Sequence, residues 1–465
     1  MTITLEKSGL RFLAPVIAVA TALLALSVPA FCAPKAKSSL LDNGMQVVVI
    51  EDHRAPVVTH IITYRVGAAD DPQGASGAAH YLEHMMFKTA GLLKAGEYAA
   101  HVSRNGGSTN AVTTHDATIY HTRVPRETLP WLMEKEAQRM RHLDLMPEEF
   151  EAERGVIQAE RRFRVDADPI NVLREEAAQL LYIMDPHRRP AIGWAHEIAA
   201  LERRHLAALY ERFYAPANAT VVVVGDVTAA EVFELARKSY GNLSKPQTAI
   251  ETRKFEEPPA RGARRVVVMD PRVDAPTLYR VYSVPGHATA TRRDALSLDV
   301  LATILTQRHF GRLGRGAPTD LVSSDGGYAG NKRGKGQFAV LLTGAPGADT
   351  ARLERHLDTV IAQLREADVT PDELETAVNI LSARRSFELD DQLDLARLYA
   401  ETLASGGSVE ELEQFDQALR NVTVADVRRV CETYLLIERS VTGILLPAHS
   451  THIGMDGVAT MGNKP

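Results

Sequence analysis

Only two cysteines occur in 465 residues, Cys32 and Cys431, so a disulfide framework is excluded and any metal site must be built from histidine and carboxylates. A basic excess is missing too. The formal net charge of -6 offers no footprint for nucleic acid. Long apolar runs are absent after the first thirty residues, so no later segment is expected to span a bilayer. The one run, FLAPVIAVATALLALSV, follows Lys7 and Arg11 and contains Pro15. Charge, apolar stretch, then small residues is the order of an export leader over 1–30, cut after Ala30 in Val28-Pro29-Ala30. An uncleaved inner-membrane anchor is the alternative. Cys32 lacks a small residue just before it, which argues against a lipoprotein. The expected location is the periplasm, with no membrane span once the leader is removed.

What is present is an ordinary globular composition, 45% hydrophobic and 24% charged, in a chain long enough for two cores. An internal repeat divides it. QVVVIEDHRAP (46–56) resembles RVVVMDPRVDAP (265–276), and Ala55-Pro56 falls on Ala275-Pro276, 220 residues later. LAALYERFYAPANATVVVVGD matches VRRVCETYLLIERSVTGILLP, with Tyr214 on Tyr434 and Val221 on Val441. MPEEFEAERGVIQAERRF resembles TPDELETAVNILSARRSF, with Pro147 on Pro371. Each half runs strands, helices, then a helix and a strand. The expectation is an α+β fold of two homologous domains, each a mainly antiparallel sheet packed with helices. The expected boundaries are a first domain over 31–247, a charged, proline-bearing linker over 248–264, a second domain over 265–447 and a loose tail over 448–465.

Within the first half, HYLEH (80–84) places two histidines and a glutamate on an otherwise small and apolar helix. His80 and His84 are four apart and share a face, with Glu83 one turn from His80. The repeat supplies a control, because these positions become Val300, Thr303 and Ile304 in the second half. The helix therefore forms without the polar trio, which weakens a purely structural account of it. A three-ligand zinc site needs one more donor. Glu153 and Glu160, seven apart on a helix, are candidates, and their counterparts are Ala377 and Arg384. Alone, each would read as a solvated helix face. Their absence from the same half that lacks HYLEH favours a shared function. Gly155 interrupts their helix at about 1 kcal/mol relative to alanine, and close packing against the HYLEH helix would account for it.

HYLEH with these spaced glutamates resembles the inverted HxxEH motif of the pitrilysin/insulinase (M16) zinc metallopeptidases. A bare HxxEH arises by chance in on the order of one in a hundred chains of this size. The likeness, however, runs from about residue 40 to 447 and includes GGSTNAVTTHDATIY (106–120). The resemblance implies a half-clamshell and one zinc per chain, held by His80, His84 and Glu160. It implies Glu83 as general base toward a water at the metal, with Glu153 as a supporting carboxylate. Asn110 and Ala111 match the family's substrate-binding edge strand, although Asn110 reads equally well as a turn residue after Gly106-Gly107. His101, His115 and His121 read as surface or strand residues, and Trp131 and Met133 as core.

Members of that family close two such halves over a peptide, and the half opposite the zinc supplies an arginine and, seven residues on, a tyrosine. Here GRLGRGAPTDLVSSDGGY (311–328) keeps Arg312 and Arg315 but has Ser323 near the tyrosine position. The implied protein is a zinc endopeptidase acting on unfolded peptides, the catalytic subunit of a heterodimer whose homologous partner lacks zinc and carries the arginine–tyrosine pair. A homodimer is the other arrangement. The competing function is a non-catalytic metal-binding protein, or an assembly or processing subunit of a larger complex.

Overall fold

A computed structural model describes residues 35–244, 256–307, 310–366 and 369–448. The expected leader, nearly all of the tail and part of the linker lie outside them. Among the described residues, no helix is long and apolar enough to cross a membrane.

Two sheets organise the chain. The first has β1 (Lys37–Leu40), β2 (Gln46–Glu51), β3 (Val57–Tyr64), β4 (Ser108–Thr113), β5 (Thr118–Pro125) and β6 (Ala219–Gly225), in the order β1-β2-β6-β3-β5-β4. The second has β7 (Arg264–Asp270), β8 (Thr277–Pro285), β9 (Leu321–Ala329), β10 (Lys335–Gly344) and β11 (Ser440–Pro447), in the order β7-β11-β8-β10-β9. Apart from β1, the two orders are one topology repeated. Each sheet has a single parallel pair, β2 with β6 and β7 with β11, in an otherwise antiparallel ladder.

Helices recur in the same chain order. The first half has α1 (Ala78–Met85), α2 (Leu129–Arg141), α3 (Pro147–Arg161), α4 (Pro169–Leu181) and α5 (Arg203–Phe213). The second has α6 (Arg292–Thr306), α7 (Thr350–Glu366), α8 (Pro371–Asp390), α9 (Gln392–Ala404) and α10 (Val424–Tyr434). Helices α3 and α8 each begin with proline at the first position, where its missing N–H breaks no bond.

The repeated halves exchange one helix each. ATVVVVG of β6 is buried throughout and mostly apolar because both of its faces are covered. Val221 and Val223 point into the first half's own core, while Val222 and Val224 meet Leu395, Ala396 and Tyr399 of α9, a helix of the second half. Reciprocally, Leu173, Ala177 and Leu181 of α4 cover Tyr279, Val281, Val441 and Leu445 of the second sheet. The fit on that side is close. A Cβ at Gly443 would lie 2.9 Å from Leu173 Cδ1. This exchange had no signal in the spacing of the repeat.

Candidate metal centre

Helix α1 starts where the chain turns through Gly77, whose φ of 88° suits glycine. Asp71 anchors that start by accepting from the amides of Gly77 at 2.7 Å and Ala79 at 2.8 Å. Packing then fixes the helix against α3. The rings of Tyr81 and Phe150 stack with centroids 4.5 Å apart, and the Tyr81 hydroxyl donates to the Phe150 carbonyl. On α3, Phe150, Glu153, Ile157 and Arg161 recur at the three-to-four spacing of a buried face. Glu153 and Glu160 are thereby aimed at the histidines of α1.

His80, His84 and Glu160 come together, with one donor atom of each within 4.8 Å of the others. Glu160 Oε2 is 3.2 Å from His84 Nε2 and 3.7 Å from His80 Nε2. Ligands about 2.0–2.2 Å from a tetrahedral zinc lie roughly 3.4 Å from one another. The spacing and the two-imidazole, one-carboxylate set therefore fit zinc. The other ring nitrogen of His84 faces Glu153 Oε1 at 2.8 Å, the carboxylate–histidine pairing that turns Nε2 toward a metal. His80 Nδ1 is buried and has no such partner among the described residues.

Glu83 is buried outside this cluster. Its Oε2 accepts the Thr113 hydroxyl at 2.5 Å, at the last residue of β4. Burial pushes Glu83 above the ordinary carboxylate range, against the opposing hydrogen bond from Thr113 and the charge of His84. Burial and the neighbouring His84 push His80 down to about 4. Burial also pulls on His84, but the hydrogen-bonded Glu153 and Glu160 carboxylates outweigh it and raise the imidazole to about 9 without a cation. A metal must therefore displace a proton there. Glu160 is lowered, first through its bond to His84. Glu153 is lowered as well, because His84 and Lys88 outweigh its burial.

Three participants were not singled out from sequence. Lys88 Nζ lies 2.5 Å from Glu153 Oε2, and Arg164 Nε lies 2.9 Å from Glu160 Oε1. Lys88 is four residues after His84, and Arg164 four after Glu160, so helical spacing could have flagged both. Thr113 arrives from a distant strand, and no local pattern marks it.

Asn110 and Ala111 lie on β4, which is an edge of the first sheet. Asn110 is exposed, and its side-chain oxygen accepts from the Ala111 amide at 2.9 Å. His101 instead stacks on Trp131 at 3.7 Å, and His115 bonds the Arg189 carbonyl at 2.9 Å, so neither joins the metal cluster. Met133 is in the core and Trp131 packs against it. In the second half, Val300 and Ile304 are fully buried, as an apolar helix face requires. Arg312 and Arg315 both pair with Glu373, at 2.8 and 2.9 Å.

Gly155 overturns one expectation. It is exposed, and a Cβ there would meet nothing within 4 Å, so packing against α1 does not explain it. Gly155→Ala is expected to stabilise the protein by about 1 kcal/mol through helix propensity. A denaturant midpoint unchanged or lowered in the variant would contradict this.

Paired α+β halves, with the His/His/Glu cluster found among the described residues lying in the first, define a metallopeptidase-type architecture. The family model described as Insulinase (Peptidase family M16) matches residues 46–193, and Peptidase M16 inactive domain matches residues 200–381. The chain belongs to the M16 peptidase family. The zinc protease PqqE of Helicobacter pylori is 30% identical over 418 residues, spanning 89% of this chain and 93% of the relative. The crystal structure of a protease from Helicobacter pylori matches with a TM-score of 0.83 at 30% identity, covering 89% of this chain and 100% of that one. The first half of the periplasmic protease PqqL from Escherichia coli shares the fold, with a TM-score of 0.73 at 20% identity over 89% of this chain and 92% of that one.

Proposed function

We propose that this chain is a zinc-dependent endopeptidase that hydrolyses unfolded peptides. The observation that carries the proposal is the arrangement around α1: three donors at zinc-compatible spacing, with a buried carboxylate beside them that is not one of the three. His80, His84 and Glu160 would hold the metal. When bound, zinc would act as a Lewis acid toward the scissile carbonyl and the attacking water. Glu83 takes the proton from that water and returns it to the leaving amine. Glu153 holds the His84 imidazole in the tautomer that directs Nε2 inward. A peptide adds to the free edge of β4 through main-chain bonds and runs past Asn110 and Ala111 toward Thr113, the residue that touches Glu83.

A second, homologous subunit completes the substrate site in this reading. Arg312 and Arg315 are occupied by Glu373, so they do not replace the missing arginine–tyrosine pair. The leader pattern over 1–30 supports export to the periplasm. The test is metal analysis of the purified chain, followed by cleavage of a quenched unstructured peptide with and without a zincless homologous subunit. One zinc per chain is expected, with cleavage lost on chelation, restored by zinc and accelerated by the partner. Full activity in the isolated monomer would remove the partner from the account. Stoichiometric zinc without cleavage in either form would leave a metal-binding or assembly role.

A further inference from the structure

The two carboxylate oxygens of Glu83 are not equivalent. Oε2 accepts the Thr113 hydroxyl at 2.5 Å, and both side chains are buried. Oε1 accepts no hydrogen bond among the described residues, and it is not one of the unpartnered oxygens sealed from solvent. Thr113 has a single hydroxyl proton to give. The other oxygen within its reach, Thr118 Oγ1, is 3.5 Å away, and that hydroxyl donates to the Val66 carbonyl at 2.9 Å. The bond to Glu83 is therefore the one Thr113 makes. Its backbone is held in place as well. Thr113 faces Thr118 in the ladder of β4 with β5, and the Thr114 carbonyl accepts the Ala68 amide at 3.0 Å.

The second half has neither member of this pair. Glu83 becomes Thr303. On the strand side, Ala111 faces Tyr120 and Tyr120 faces Ile62, while Tyr328 faces Phe338 and Phe338 faces Tyr282, the repeat counterpart of Ile62. Ala111 thus falls on Tyr328. Two residues on, Thr113 falls on Gly330, which has no side chain to donate. The strand β9 and the helix α6 both form in that copy, so the fold does not require a bond between them at this point.

We propose that Thr113 is a positioning residue for hydrolysis, tying down Oε2 of Glu83 so that Oε1 carries the proton between the attacking water and the leaving amine. The proposal rests on the peptidase reading. With Oε2 engaged as an acceptor, the proton drawn from water lodges on Oε1 and leaves from the same atom. Without the hydroxyl, the carboxylate can turn about its terminal torsion, which is broad and roughly two-fold in glutamate. A misplacement of about 1 Å at a reacting group costs on the order of 10²-fold in rate. Thr113 also ends the strand on which the peptide docks. Docking of that kind uses main-chain bonds, so the hydroxyl contributes to the proton transfer and not to substrate binding.

The test compares wild type with Thr113→Val, which keeps the shape of the side chain without the hydroxyl, and with Thr113→Ser, which keeps the hydroxyl. In the valine variant, kcat for a quenched unstructured peptide is expected to fall about 10–100-fold with KM within about twofold of wild type. Zinc should stay at one per chain, and serine should regain most of the rate. Crystal structures of the metal-free wild type and valine variant give a readout independent of turnover. Glu83 should hold one orientation in the first and be displaced or divided between two in the second. Full kcat in Thr113→Val overturns the proposal and leaves the peptidase reading standing. An unmoved Glu83 does the same, as does a joint change in kcat and KM that serine does not rescue, the mark of a damaged strand. A zinc-loaded wild type that cleaves nothing, even with a zincless homologous subunit, removes the peptidase reading and this proposal with it.

Discussion

Glu83→Gln is expected to lower peptide hydrolysis about 10²–10⁴-fold, the usual contribution of a positioned general base, while zinc remains bound at one per chain. The substitution keeps the size of the side chain and an oxygen that can accept the Thr113 hydroxyl, so the local packing around α1 is retained. It removes only the capacity to take a proton. Glu83 is not among the three clustered donors, so metal content should not change. Parallel measurement of zinc by mass spectrometry and of cleavage by a quenched peptide separates the outcomes. Loss of zinc would make Glu83 a ligand and overturn the assignment. Retained cleavage would mean that another group supplies the base.

A second large effect is expected far from solvent. Arg139 and Glu136 form an ion pair at 2.7 Å in which each side chain is only 1% exposed. The guanidinium lies 4.5 Å from the Tyr98 ring and 5.0 Å from the Phe87 ring, and its Nε donates to the Met86 carbonyl at 2.9 Å. Met86 caps the C-terminal end of α1, so this pair secures the far end of the metal helix. Arg139→Met leaves the Glu136 charge buried without its partner and should cost about 3–5 kcal/mol in urea unfolding. Adding Glu136→Gln should recover part of the loss, because the orphaned charge is then gone. A single variant within about 0.5 kcal/mol of wild type, the usual range for an uncritical surface site, would show that the pair has no such role.

The repeat made much of the architecture legible before any coordinates. Strands β2, β3 and β6 recur as β7, β8 and β11 because both halves build the same sheet order, which leaves a period of 220 in the sequence. The metal cluster was legible for the opposite reason. His80, Glu83, His84, Glu153 and Glu160 stand where the second copy has other side chains, so the comparison isolates residues that the fold itself does not require. Contacts between elements distant in the chain were not legible. Thr113 meets Glu83 only because β4 ends beside α1, and Arg139 reaches Met86 only after α2 packs against the same core. Gly155 failed as a packing signal, since a helical glycine in open space looks the same in sequence as one in close contact.

The reciprocal crossing of α4 and α9 bears on how the two copies came to share one chain. Each copy gives the other a helix from the same place in its own order, as the protomers of a domain-swapped dimer do. The molecule therefore has the anatomy of a fused swapped pair, with the connecting segment standing in for a subunit boundary. Such a pair can lose chemistry from one member and still retain that member. The second copy remains indispensable as the roof over Val222 and Val224, although the metal-donor cluster found among the described residues belongs to the first copy.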